Sequence, residues 1–205
     1  MYKPNNIYNF AQNKFTMGEL IESVVYSGTF NPFHIGHLEI VKHLSKRFDK
    51  VYLVVSVQNP FKSNGTDNFY ERLENVKTII DKSGLTNVTV EDIETTLQSP
   101  YYTIKTLEAL DAKYPHELLS LCVGGDCMED FTKWHRWEDI LSTYGLVIIP
   151  RKGYSIKLSI EVLKKQVDEP ECWHLCVLDA DIPEVSSSEI REKINNGEDI
   201  AHLLP

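Results

Sequence analysis

Basic residues are in short supply. Lys and Arg number 21 against 30 Asp and Glu, and the formal net charge is −9. A nucleic-acid binder needs a cationic surplus to displace phosphate counterions, so that partner class is disfavoured. A small anion stays within reach, because a few Lys, Arg and His can converge locally. Long apolar runs are missing too: no stretch approaches the ~20 residues of a bilayer span. The first twenty residues, rich in Asn and Lys, lack the apolar region of a secretory leader. Cysteine is sparse, with Cys122, Cys127, Cys172 and Cys176 forming no CxxC pair. A chain of 205 residues does not need disulfides, so a reducing cytoplasm is expected. Cys172, His174 and Cys176 alternate along one expected strand and could share a face, as zinc ligands do. No fourth ligand stands nearby, so buried small side chains are the simpler reading and no protein-held metal is expected. Internal repeats and low-complexity segments are also absent.

What is present is ordinary globular stock, 42% hydrophobic and 25% charged, enough for one α/β domain. Met17 stands shortly before the first apolar run. Residues 1–20 are therefore read as an N-terminal extension and 21–205 as a single domain. Val24–Tyr26, Lys50–Ser56, Asn87–Val90, Leu118–Val123, Leu146–Ile149 and Trp173–Leu178 read as short apolar, β-branched strands. Between them, helical spacing runs through Leu38–Leu44, Phe69–Lys82, Ile104–Leu110 and Ile160–Lys165, with Gly84 as a C-terminal stop. Ser186-Ser187-Ser188-Glu189 opens a last helix with a Ser cap and an acidic first turn. Strands alternating with helices predict a Rossmann-like, doubly wound parallel sheet. Ligands in such sheets bind beyond the carboxyl ends of the strands. The polar clusters fall at those ends: Gly28 to His37, Asn59 to Lys62, Gly124 to Asp126, Arg151, and Ser186 to Arg191.

The first cluster, Ser27-Gly28-Thr29-Phe30-Asn31-Pro32-Phe33-His34-Ile35-Gly36-His37, is a strand turning on glycine into a helix. Backbone N–H groups and the helix dipole then point at a common anion. His34 and His37 share a face of the first turn and can donate to phosphate oxygens. The plainer reading is a pair of helix-capping histidines.

This stretch closely resembles the GTFDPxHxGH signature of the HIGH-type nucleotidyltransferase superfamily, and Val185 to Arg191 resembles its ISSTxIR motif. Between them lie marks of one branch, the nicotinate (or nicotinamide) mononucleotide adenylyltransferases. Asn59-Pro60-Phe61-Lys62 is similar to that family's PxHK loop, Tyr102-Thr103-Ile104 to its SYT segment and Gly125-Asp126 to its GxD. Trp134 is similar to its pyridine-stacking tryptophan, and Arg151-Lys152-Gly153 to its RPG turn. The resemblance implies transfer of AMP from ATP to nicotinate mononucleotide, giving deamido-NAD and pyrophosphate. Catalysis would then be positioning plus charge stabilisation by His34, His37 and Arg191. It places ATP on Gly28, Thr29, Phe30, His34, Gly36, His37, Gly125, Asp126, Ser186, Ser187, Ser188 and Arg191. It places the mononucleotide on Asn31, Lys62, Tyr102, Thr103, Trp134, His135 and Arg151, with the backbone N–H of His135 receiving the nicotinate carboxylate. Mg²⁺ would come with ATP, held mainly by phosphates and water.

Plainer roles stand beside these: Lys62 as a solvated loop lysine, Asp126 as an N-cap, Trp137 as core. Phe61, Lys105 and Ser188 depart from the family's usual His, acidic residue and Thr. The ending at Leu203-Leu204-Pro205 is shorter than in relatives and bears on packing or oligomer contacts, which leaves a homo-oligomer open. Nicotinamide mononucleotide is the alternative acceptor, and a phosphopantetheine adenylyltransferase the nearest rival. A cytidylyltransferase would carry RTEG where Ile182-Pro183-Glu184-Val185 stands. A tRNA synthetase needs a larger, less acidic chain. A nucleotide sensor would have no use for the His pair and Arg191 together.

Overall fold

The structure, a computed structural model, describes residues 21–57, 68–165, 175–178 and 180–205. Strands β1 (Ile21–Gly28), β2 (Lys50–Val55), β3 (Val88–Glu91), β4 (Glu117–Gly124), β5 (Leu146–Ile149) and β6 (Leu175–Val177) alternate with helices. The helices are α1 (Ile35–Ser45), α2 (Phe69–Ser83), α3 (Thr103–Lys113), α4 (Trp137–Thr143), α5 (Ile156–Lys164) and α6 (Ser187–Asn195). The strands form one parallel sheet in the order β3-β2-β1-β4-β5-β6. The chain thus winds outward from β1 to one side and then from β4 to the other. That reversal leaves a crevice beyond the carboxyl ends of β1 and β4, where doubly wound sheets bind ligands.

Alternation on the central strands explains the two-layer core. On β1, Val24 packs with Ile40, Val41 and Leu44 of α1 and with Leu73 and Val76 of α2. Val25 faces the other way, into Ile104 and Leu107 of α3 and Ile140 and Leu141 of α4. Both valines are fully buried. Each such side chain taken from water contributes about 1.5–3 kcal/mol.

Local chemistry sets the helix ends. Asn68 accepts from the Tyr70 amide at 3.1 Å to start α2, and Gly84 stops it at φ 71, where a side chain would be strained. Helix α5 starts at Ile156, four residues before the expected Ile160, because Ser155 accepts from the Leu158 amide at 3.4 Å. After Gly125 the chain makes two 3-10 turns, Gly125–Glu129 and Phe131–Lys133, before α4 begins at Trp137. Strand β6 begins at Leu175; the expected positions Cys172, Trp173 and His174 lie outside the described residues.

Away from the crevice, a buried polar network braces the sheet. Glu117 accepts from Ser23 (2.6 Å), Lys50 and the Tyr52 hydroxyl (2.8 Å). Tyr52 stacks on Tyr114, whose hydroxyl donates to Glu91. Burial pushes the Glu117 carboxyl up, but its three donors outweigh it and hold the net value below the ordinary glutamate range. No described helix is long and apolar enough to cross a membrane.

Candidate active site

A cavity of about 790 Å³ opens over the carboxyl ends of β1 and β4, within the size range of small-molecule sites. From the expected set it is lined by Gly28, Thr29, Phe30, Asn31, His37, Asp126, Trp134, Arg151, Ser187 and Arg191. Residues from both ends of the chain therefore share one wall.

The histidine pair has a specific geometry. His34 is the N-cap of α1, and its Nδ1 accepts from the His37 amide at 3.4 Å; His37 Nδ1 accepts from the His34 amide at 3.3 Å. The rings stack with centroids 3.6 Å apart. Since both Nδ1 atoms accept, each neutral ring carries its proton on Nε2 and keeps that donor for another partner. Capping and donation to a ligand are thus both served by the same rings. Burial, then the Arg151 guanidinium, brings His34 down to about 4. Burial, the His34 ring and Arg151 hold His37 well below the ordinary histidine range. His37 is on the cavity wall; His34, 1% exposed, lies beneath it.

Glycine at 36 is favoured by close approach. A Cβ there would meet His34 Nδ1, the Pro183 carbonyl oxygen and Val185 Cγ1, each at 3.1 Å. This contact brings the segment leading into α6 against the first turn of α1. The Ser187 hydroxyl donates to the Pro32 carbonyl oxygen at 3.0 Å, and Arg191 donates to the Asn31 carbonyl oxygen and to Ser188 Oγ. Ser186 caps α6 by accepting from the Glu189 amide at 3.1 Å. The N-terminal end of α6 thereby faces the Gly28 to His37 turn.

On the far wall, Gly124 is the N-cap of the Gly125–Glu129 turn and Asp126 lies in its first turn. The exposed Asp126 carboxylate folds over Gly124, filling the place a Cβ would take, and Arg151 Nε lies 3.9 Å from that same place. Gly125 packs under the Ile149 carbonyl oxygen. Trp134 is half-buried, tilted against the fully buried Phe131. Trp137 packs partly on the same core, edge-on to Phe131.

Tyr102, Thr103 and His135 stand beside the wall, next to its residues Tyr101 and Trp134. Tyr102 and His135 stack at 4.3 Å, and Lys105 Nζ lies 5.5 Å from the Tyr102 ring centroid. Lys62 and Phe61 fall outside the described residues.

Sequence reasoning missed Arg72, Tyr26 and Tyr101. Arg72 is 7% exposed and donates to the carbonyl oxygens of Thr29 (2.6 Å) and Ser56 (3.0 Å), tying the ends of β1 and β2 together. Its place four residues before Val76, on the apolar stripe of α2, was the available signal. Among the described residues no three His, Cys, Asp or Glu side chains cluster as metal ligands do.

The chain matches the family described as Cytidylyltransferase-like over residues 25–193. Proteins named "Probable nicotinate-nucleotide adenylyltransferase" are similar to it: one from Flavobacterium johnsoniae is 36% identical, covering 88% of this chain and 90% of its own. One from Clostridium tetani is 34% identical, covering 90% and 92%. In fold, the Plasmodium falciparum nicotinic acid mononucleotide adenylyltransferase complexed with NaAD superposes with a TM-score of 0.71 at 19% identity, over 90% of each chain. With the two motif ends meeting on one cavity, these likenesses establish that the chain belongs to the nicotinate-nucleotide adenylyltransferase family of the cytidylyltransferase-like proteins.

Proposed function

We propose that this protein transfers AMP from ATP to nicotinate mononucleotide, releasing pyrophosphate and forming deamido-NAD. The observation that carries the reading is the meeting of the stacked His34–His37 pair with Arg151 and Arg191 around one cavity. A phosphate oxygen of the mononucleotide attacks the α-phosphorus of ATP, and the bond from that phosphorus to the bridging oxygen of the β-phosphate breaks. No protein nucleophile is required. The chain's task is to hold two anions in line and to stabilise charge on the transferring phosphoryl group.

In this reading His37 Nε2, with His34 behind it, donates to the α- and β-phosphates. Arg191 and the N-terminal amides of α6 hold the triphosphate. Gly28, Thr29, Phe30 and Gly36 shape the turn against the phosphates, while Ser186 and Ser188 hold α6 and Arg191 in place. Asp126 accepts from the ribose of ATP beside Gly125. Asn31, Tyr102, Thr103, Trp134, His135 and Arg151 hold the mononucleotide, with Lys62 assigned there on sequence alone. Trp134 offers a flat face to a pyridinium ring. Mg²⁺ would come with ATP and neutralise charge on its phosphates, held mainly by phosphate oxygens and water; Asp126 is the one acidic side chain of the described lining. Residues 21–205 carry the activity, and the thiols Cys122 and Cys176 suit a cytoplasmic setting.

The test is pyrophosphate release from ATP with nicotinate mononucleotide, nicotinamide mononucleotide or phosphopantetheine as acceptor. The highest kcat/KM is expected with nicotinate mononucleotide. A higher value for another acceptor reassigns the substrate, and no release with any of them removes the reading.

A further inference from the structure

Tyr26 lies on β1 two residues before the Gly28 turn, at a position whose packing a phenylalanine would satisfy. Its ring meets Phe30 edge-on with centroids 5.6 Å apart and tilts against His37 at 6.4 Å. The residue is 8% exposed and belongs to the cavity wall. Its hydroxyl makes no hydrogen bond among the described residues, and it is not sealed off from the cavity. A tyrosine oxygen carried into a core without a protein partner is costly, and a ligand that supplies an acceptor removes that cost.

The surroundings say which acceptor. Burial raises the hydroxyl far above its ordinary range; Cys122, Cys127 and Asp126 act in the same direction and Arg151 against them. The group therefore stays protonated and serves as a donor. Arg151 comes from the end of β5, His37 from α1, and Arg191 from α6 onto the same wall. Cationic and N–H donors on either side of a lone O–H converge on an anion with several acceptor oxygens, which is the chemistry of a phosphate.

We infer that the Tyr26 hydroxyl is a substrate-binding donor, bonding an oxygen of the two phosphates that become joined in the reaction, between His37 and Arg151. This rests on the adenylyl-transfer reading above and adds to it a contact that neither nucleotide motif contains.

Tyr26→Phe deletes the oxygen and keeps the ring. The variant should melt at or above the wild-type temperature without ligand, because no protein hydrogen bond is lost and an unpartnered hydroxyl is removed. Its kcat/KM should fall ~10- to 100-fold, the usual cost of a hydrogen bond to a charged group. Its Kd for deamido-NAD, which contains both joined phosphates, should weaken by a similar factor. A deamido-NAD Kd and a kcat/KM within twofold of wild type overturn the proposal. A lower melting temperature without ligand does so as well, since it makes the hydroxyl structural. If the wild-type protein releases no pyrophosphate, the reaction reading fails by itself, and deamido-NAD binding by the two proteins still decides whether Tyr26 donates to a diphosphate.

Discussion

Arg191 Nη1 donates to the carbonyl oxygen of Asn31 at 2.6 Å, joining the last helix to the first turn across 160 residues of sequence. Its Nη2 meets Ser188 Oγ at 3.0 Å. The guanidinium is thus held at a fixed angle on the cavity wall, as its proposed role of stabilising charge without reorganising requires.

Removing that cation while leaving α6 capped by Ser186 separates its two duties. Arg191→Ala should lower kcat/KM by ~10²–10³, the usual loss for one charge-stabilising donor. Arg191→Lys keeps the charge but loses the planar fork that reaches Asn31 and Ser188 through separate nitrogens, so it should recover only part of that loss. Pyrophosphate release measures both variants. A lysine variant equal to wild type would mean that positioning contributes nothing.

The histidine pair makes stability depend on pH in a defined direction. Both rings are held below the ordinary value of 6.5 by burial first, His34 at about 4. Between those values the unfolded chain binds more protons than the folded one, so stability rises with pH across the window. The ligand-free protein should lose melting temperature as pH falls from 6.5 towards 4, and His34→Asn should flatten part of that slope. Thermal melts of both proteins across that pH range read the slope and its flattening directly.

The Tyr102–His135 stack joins the start of α3 to the segment carrying Trp134. An aromatic pair of this kind is worth about 0.5–1.5 kcal/mol beyond its buried area. His135→Ala should therefore raise KM for the mononucleotide up to ~10-fold, with KM for ATP unchanged, and His135→Phe should restore it. Failure of phenylalanine to restore KM would place the effect in the imidazole nitrogens instead of the stack.

Much of this architecture is legible in the sequence, and for a physical reason. Strands buried on both faces read as short β-branched runs, so β2 and β5 stand almost where expected. A Ser cap marks a helix start directly, which is why Ser186 to Arg191 is legible on sequence; the expected turn on Gly28 is instead the end of β1, the positive φ falls at Phe30, and His34 caps α1. Arg72 and Tyr26 were hidden because each sits inside an apolar pattern, and only packing shows that one pins carbonyls and the other opens onto the cavity. The early start of α5 was missed because a lone Ser155 cap is a weak signal beside the stronger apolar spacing that follows. His34 and His37 were read as helix caps or phosphate donors; the ring geometry makes the two compatible.

The sheet order has a consequence for how the protein is made. Strand β1 pairs with β2 on one edge and with β4 on the other. A nascent chain that has emerged only as far as α3 therefore carries β1 with an open edge beside Val24 and Val25. Such an apolar edge is where a half-made protein recruits unwanted neighbours. It closes when Glu117 to Gly124 leaves the ribosome, and Arg191 follows much later. The enzyme is thus assembled with its most adhesive surface exposed early and Arg191, the proposed triphosphate cation, delivered last, so a truncated product would hold the first half of the candidate site without it.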